Sequence, residues 1–366
     1  MSSNSDEVDD ILAEEDDYPP LSDTFVQKTV NQIMETLPPS LYIQLENKFY
    51  VAGEKLEGKI ILDLPRDFSA VSINLNLVGL ESVEVFYSNV PISQMARQIF
   101  SHDTSIKKQQ PLNSGRHIYP FSYKLPSHCP PTFNFSGHDA SNNYIRSLVS
   151  YNLICNLVYD ETESSTTTEV CIRGKESRTT NKEECQIVES VQGFCCMSKG
   201  FSRFTLQLTV FEPIIVNQTL NYKLLPDNTN CSVPINQVTA EIVLEMEFQG
   251  KEKNYVVNEV LSSTPRITWI AAFSAQVYEK DFEFKSDVKS AGGDKNLASI
   301  DTGLIRAKYF VQIKIQYDIS LRKQQAIIRL PIYVNPLGVL CKVPPAAQFG
   351  WNVNVEEEVK IILDNL

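Results

Sequence analysis

The hydrophobic pattern changes period once along the chain. Over residues 23–37 Val26, Val30, Ile33, Met34 and Leu37 recur at helical spacing, Asp23 is placed to cap the first turn, and Pro38 stops the run. This predicts one amphipathic helix over 23–38. From Pro39 onward the period is two. SLYIQL, KLEGKIILDLP and SAVSINLNLVGLESVEVFY alternate apolar and polar residues, with Gly53, Gly58, Pro65 and Gly79 at the interruptions. HIYPFSYKLP, YIRSLVSYNLICNLVYD and ECQIVESV repeat the style after a turn-rich stretch around 127–143. Half-apolar strands need a second sheet over the apolar face, so a β-sandwich over 39–195 is predicted. SQMARQIFSHDTSIKKQQPLNSG lacks the alternation and reads as a short helix and an exposed loop at one rim.

The pattern restarts near Gly200. SRFTLQLTVF, LNYKLLPDN, INQVTAEIVLEMEFQG, KYFVQIKIQYDISL and QAIIRLPIYV form a second set of strands, interrupted at 278–303 by a charged, Gly-rich segment that reads as a long loop or hairpin. The predicted organisation is an acidic disordered tail (1–22), the amphipathic helix (23–38), a first sandwich (39–195), a linker (196–204), a second sandwich (205–340) and a C-terminal extension (341–366).

Charge refines this picture. The chain has 366 residues, a net charge of -12, 33 Lys plus Arg and 45 Asp plus Glu. Eight acids and no bases fall within residues 1–20, so the body is close to neutral. A near-neutral body argues against nucleic-acid binding, in which phosphate neutralisation supplies much of the affinity. The N-terminus has neither a basic region nor an apolar stretch, and no run reaches the length of a membrane span, so a cytosolic location is expected. The eight Cys are scattered, several of them in alternating apolar runs, and read as reduced core thiols.

Several of these segments resemble the arrestin fold family, in particular its arrestin-domain-containing (alpha-arrestin-like) branch in lower eukaryotes. They are YVAGEKLEGKIILDL followed by VSINLNLVGLESV, then YPFSYKLPSHCPPTF, YIRSLVSYNLICNLVYD, GFCCMSKGFSRFTLQL, DNTNCSVPINQVTAEIVLEM, KYFVQIKIQYDI and IIRLPIYV. The resemblance implies an all-β protein of two tandem arrestin-like (immunoglobulin-like) β-sandwich domains. It also implies a non-catalytic cytosolic adaptor that recognises cytoplasmic tails of membrane proteins for endocytosis, sorting or signalling. Partners would be those tails and the endocytic or sorting machinery, with peripheral contact at the plasma membrane or endosomes. The second reading is a structural scaffold or retromer-like coat subunit in a stable trafficking complex. Phe211-Glu212-Pro213-Ile214 lacks the Gly of the family's usual second-domain turn, and there is no Pro-Pro-x-Tyr ligase-docking motif.

Candidate chemistry is sparse. The four His (102, 117, 128 and 138) form no spaced metal pair, and His128, Cys129 and His138 lack a fourth ligand at sensible spacing. No phosphate-binding Gly loop or nucleophile elbow is present. The sequence therefore predicts no enzyme activity, no catalytic residue, no metal and no cofactor. Gly53 and Gly58 are expected where the backbone needs positive φ or close approach, and Pro130 and Pro131 where a strand edge must not pair. Lys107, Lys108, Arg116, Lys199, Arg203, Arg322, Lys323 and Arg329 are candidates for contact with phosphate or lipid headgroups, provided the fold gathers them on one face. Cys195 and Cys196, between Phe194 and Met197 and near Lys199, are candidates for S-palmitoylation.

Overall fold

A computed structural model describes residues 37–174, 182–192, 197–209, 214–215, 219–275, 278–283, 297–319, 324–348 and 350–361. The expected acidic tail and the helix over 23–38 lie almost wholly outside these residues. Among the described residues there is no helix, and the chain is all-β. The first part contains β1 (Ser40–Leu45), β2 (Tyr50–Val51), β3 (Lys55–Leu64), β4 (Phe68–Tyr87), β5 (Val90–Leu112), β6 (Gly115–Lys124), β7 (Phe133–His138), β8 (Tyr144–Tyr159), β9 (Thr162–Val170) and β10 (Ile172–Arg173). There follow β11 (Lys182–Gln192), β12 (Ser198–Thr209), β13 (Ile214–Ile215), β14 (Thr219–Asp227), β15 (Ile235–Gln249), β16 (Asn254–Ile270) and β17 (Tyr278–Glu283). The last strands are β18 (Ile300–Asp301), β19 (Ile305–Tyr317), β20 (Gln325–Ile332), β21 (Val334–Asn335), β22 (Val353–Val355) and β23 (Val359–Ile361).

The first sandwich packs the sheet β1-β3-β6 against the sheet β5-β4-β8, in which β7 and β9 both pair with β8. The strict alternation of β4 explains the geometry. Ile73, Leu75, Leu77, Val83 and Val85 are fully buried, while their neighbours along the strand face outward. The second sandwich packs β11-β12-β14-β17 against β16-β15-β19, with β18 and β20 on the far side of β19. Its core repeats the device, with Ala240, Ile242, Leu244 and Met246 of β15 opposed to Ile313, Val311, Tyr309 and Ala307 of β19. One continuous cluster of buried apolar residues joins the two sandwiches.

Several segments differ from the sequence expectation or add to it. Residues 93–115, expected as a short helix and an exposed loop, fall mostly within the edge strand β5, which pairs with β4 over its whole length. One side of this strand is unpaired and both its faces are largely exposed, so it carries no period-two apolar signal. Lys182–Gln192, expected to close the first sandwich, pairs antiparallel with β12 and belongs to the second. The segment expected as the 196–204 linker thus falls largely within β12. The charged stretch 278–303 contributes β17 and β18 at its ends. The C-terminal extension returns to the first sandwich, where β22 and β23 add in parallel to β6.

Candidate functional site

The turn residues divide by physical cause. Gly53 has φ +87°, in a turn closed by Glu54 N–H donating to the Val51 carbonyl at 3.0 Å. Gly58 instead allows close approach, because a Cβ there would lie 2.7 Å from the Phe121 ring and 2.8 Å from the Gln44 carbonyl oxygen. Pro130 and Pro131 follow the turn at Ser127–His128 and run extended into β7, with the Pro130 carbonyl accepting from the Tyr151 hydroxyl at 2.7 Å.

Among the described residues the basic candidates fall on four strands, β5, β6, β12 and β20. Arg116 is buried and forked onto Asp63, with Nε to Oδ1 and Nη2 to Oδ2 both at 2.7 Å. This hydrogen-bonded carboxylate raises the guanidinium pKa further, against the opposing cost of burial. Lys107 reaches Glu356 of the C-terminal segment at 3.3 Å and lies over the Tyr119 ring. Arg329 is held by Glu245 at 2.7 Å and by the Gln312 side-chain oxygen at 2.5 Å. Arg203 lies over the Phe201 ring, Lys108 is exposed, and Lys199 is half-buried with its carbonyl accepting from Ser232. Arg322, Lys323, Cys195 and Cys196 lie outside the described residues.

What the fold does bring together is the seam between the sandwiches. The first sandwich meets the second where β7, paired on β8, reaches β15. Phe135 of β7 stacks on Phe248 with centroids 5.2 Å apart and planes at 18°. Beside them the fully buried Glu81 accepts from Arg97 of the same sandwich and from the Thr302 hydroxyl of the other. Lys251 N–H donates to the Ser93 hydroxyl at 3.1 Å, and Arg173 Nε donates to the Pro336 carbonyl at 3.1 Å while its guanidinium lies over Phe49 at 3.5 Å. None of these residues was singled out from the sequence, although one signal was there. Glu81 is in phase with the buried positions Leu75, Leu77, Val83 and Val85, and a carboxylate in that phase needs donors from elsewhere.

A cleft of about 680 Å³ opens along this seam. Its first wall is His128–Pro131, Gly174 and Arg97, and its second is 299–302, 307–310 and 331–333. Pro130 and Pro131 therefore line an interdomain surface as well as ending a strand. Gly174 admits the Tyr333 hydroxyl into space that a Cβ would fill.

The sheet edges are the second feature able to hold a partner. On one side of the first sandwich β6 is covered by the chain's own C-terminal residues, with Arg116 N–H donating to the Asn352 carbonyl and Glu356 N–H to the Ile118 carbonyl, both at 2.9 Å. On the other side β1 pairs with β3 alone among the described residues, leaving one row of backbone groups along Ser40–Leu45 unpaired by any strand.

Reactive chemistry is muted. Burial pushes the Cys129 and Cys155 thiols up to about 12 and Cys171 up to about 11, keeping them protonated and unreactive. Among the described residues no cluster of three His, Cys, Asp or Glu side chains could hold a metal ion, and no helix is long and apolar enough to cross a membrane.

Residues 40–152 match the family of the arrestin (or S-antigen), N-terminal domain, and the all-β fold of two sandwiches is consistent with that match. No curated protein matches the chain.

Proposed function

We propose that the chain is a non-catalytic adaptor that binds cytoplasmic tails of membrane proteins and links them to endocytic or sorting machinery, working in the cytoplasm and at the surface of the plasma membrane or endosomes. The arrestin N-terminal domain over 40–152 is the observation that carries this reading. The β1 edge, which no strand beyond β3 pairs among the described residues, supports it physically. An extended tail could add there as a further strand, gaining backbone hydrogen bonds from Ser40–Leu45 and specificity from alternate side-chain positions. The pattern of basic residues supports no phosphate requirement, since Arg116, Lys107 and Arg329 already have acidic partners.

The test is retention of the full-length chain on immobilised cytoplasmic tails, each presented phosphorylated and unphosphorylated. Saturable binding to a subset of tails, in both forms, is expected. Absence of binding across a broad panel would overturn the adaptor reading, and strict dependence on phosphate would overturn the statement about the basic residues.

A further inference from the structure

The β1-β3-β6-β22 sheet of the first sandwich has an outer face that is not built for water. Alternation puts Ile43, Ile60, Leu62 and Phe121 in the core and turns Tyr42, Ile61 and Ile118 the other way. Ile61 is only 4% exposed, although it is not part of the core cluster. The register lines up Tyr42, Ile61, Ile118 and Val355 in one row across the four strands, and Ser40, Asp63, Arg116 and Val353 in the next. The buried Asp63–Arg116 pair therefore lies on this same outward face, where ion pairs are ordinarily solvated. At the far edge Val353 and Val355 are 52% and 68% exposed.

The course of the chain points to what covers this face. Only Pro38 and Pro39 separate Leu37 from Ser40, the first residue of β1. So short a link returns a preceding helix onto the sheet that its strand joins. The inner face of that sheet is filled by the sandwich core, which leaves the outer one. As a helix, residues 23–37 are about 22 Å long, enough to cross the roughly 14 Å between the outermost of four strands. Their stripe of Val26, Val30, Ile33, Met34 and Leu37 supplies the apolar side chains that the face lacks.

We infer that the outer face of this sheet is the docking surface of the chain's own residues 23–37, all but the last of them outside the described residues. Their apolar stripe packs over Tyr42, Ile61 and Ile118 and shields the Asp63–Arg116 pair from water. The backbone edge of β1 stays free, so the assignment stands whether or not tails bind there.

The test places the photoreactive residue p-benzoylphenylalanine at Val26 of the full-length chain and maps its crosslinks by mass spectrometry. Crosslinks within one chain to β3 or β6, residues 55–64 and 115–124, are expected. Val30→Asp, which puts a charge into the apolar stripe, should lower their yield about tenfold. Asn31→Asp adds the same charge one position on, on the polar side, and should leave the yield unchanged. Crosslinks confined to residues 23–45, crosslinks that join two chains, or a yield that Val30→Asp and Asn31→Asp change equally would overturn the assignment.

Discussion

Replacing Arg116 by Met tests whether this residue is a structural ion pair or a surface cation available to partners. Arg116 and Asp63 are only 7% and 8% exposed and share two hydrogen bonds of 2.7 Å. Removing the guanidinium leaves a carboxylate uncompensated between β3 and β6, and breaking such a pair costs about 3–5 kcal/mol. That is a large part of the roughly 5–15 kcal/mol that holds a domain together. Replacing both partners, in Arg116→Met/Asp63→Leu, leaves no orphan charge and is expected to cost within about 1 kcal/mol of the original chain. Two sandwiches need not unfold in one step, so a local readout is required. Hydrogen exchange of the β3 and β6 amides in a denaturant series supplies it. The single variant should lose protection by several kcal/mol, the double variant should recover most of it, and tail binding by the double variant should be unchanged. Single-variant losses below about 1 kcal/mol would mean that solvent screens the pair and would refute the reasoning.

Three other perturbations follow from the same geometry. Phe248→Ala removes a fully buried ring stacked on Phe135 across the seam and should cost about 3–5 kcal/mol, read as loss of the calorimetric coupling between the two sandwiches. Gly115→Ala puts a Cβ 2.8 Å from the Asn352 carbonyl oxygen at a φ of +127°, so limited proteolysis should cut around 340–352 faster than in the original chain. The buried thiols predict alkaline sensitivity. With folded values of about 12 for Cys129 and Cys155 against 9.0 unfolded, both states stay protonated below pH 9, and above it only the unfolded chain ionises. Stability should therefore be constant below pH 9 and fall above it, by up to about 1.4 kcal/mol per pH unit for each thiol, measured by denaturant unfolding between pH 7 and 11. A pH-independent midpoint over that range would contradict the burial of these groups.

The fold class was legible because β3, β4, β8, β15 and β19 alternate strongly enough to require a covering sheet. Edge strands were harder to see. β5 carries Arg97, Lys107 and Lys108 on a strand that only β4 pairs, so polar residues occupy both phases and the period vanishes. The placement of β11 failed for another reason. Its apolar phase fits either sandwich, and only long-range pairing with β12 assigns it to the second. The seam was least legible. Phe135 and Phe248 read as ordinary core residues within their own strands, and Tyr333 acquires meaning only when the fold seats its hydroxyl against Gly174, far away in sequence. Basic residues on a list of candidates likewise reveal nothing of their partners, and Arg116 is the clearest case.

The most direct test of the adaptor reading is proximity labelling by the full-length chain in its own cells, compared with a cytosolic control of similar abundance. Enrichment of membrane proteins with cytoplasmic tails, together with vesicle-coat or sorting components, is the predicted result. Neighbours indistinguishable from those of the control would contradict it.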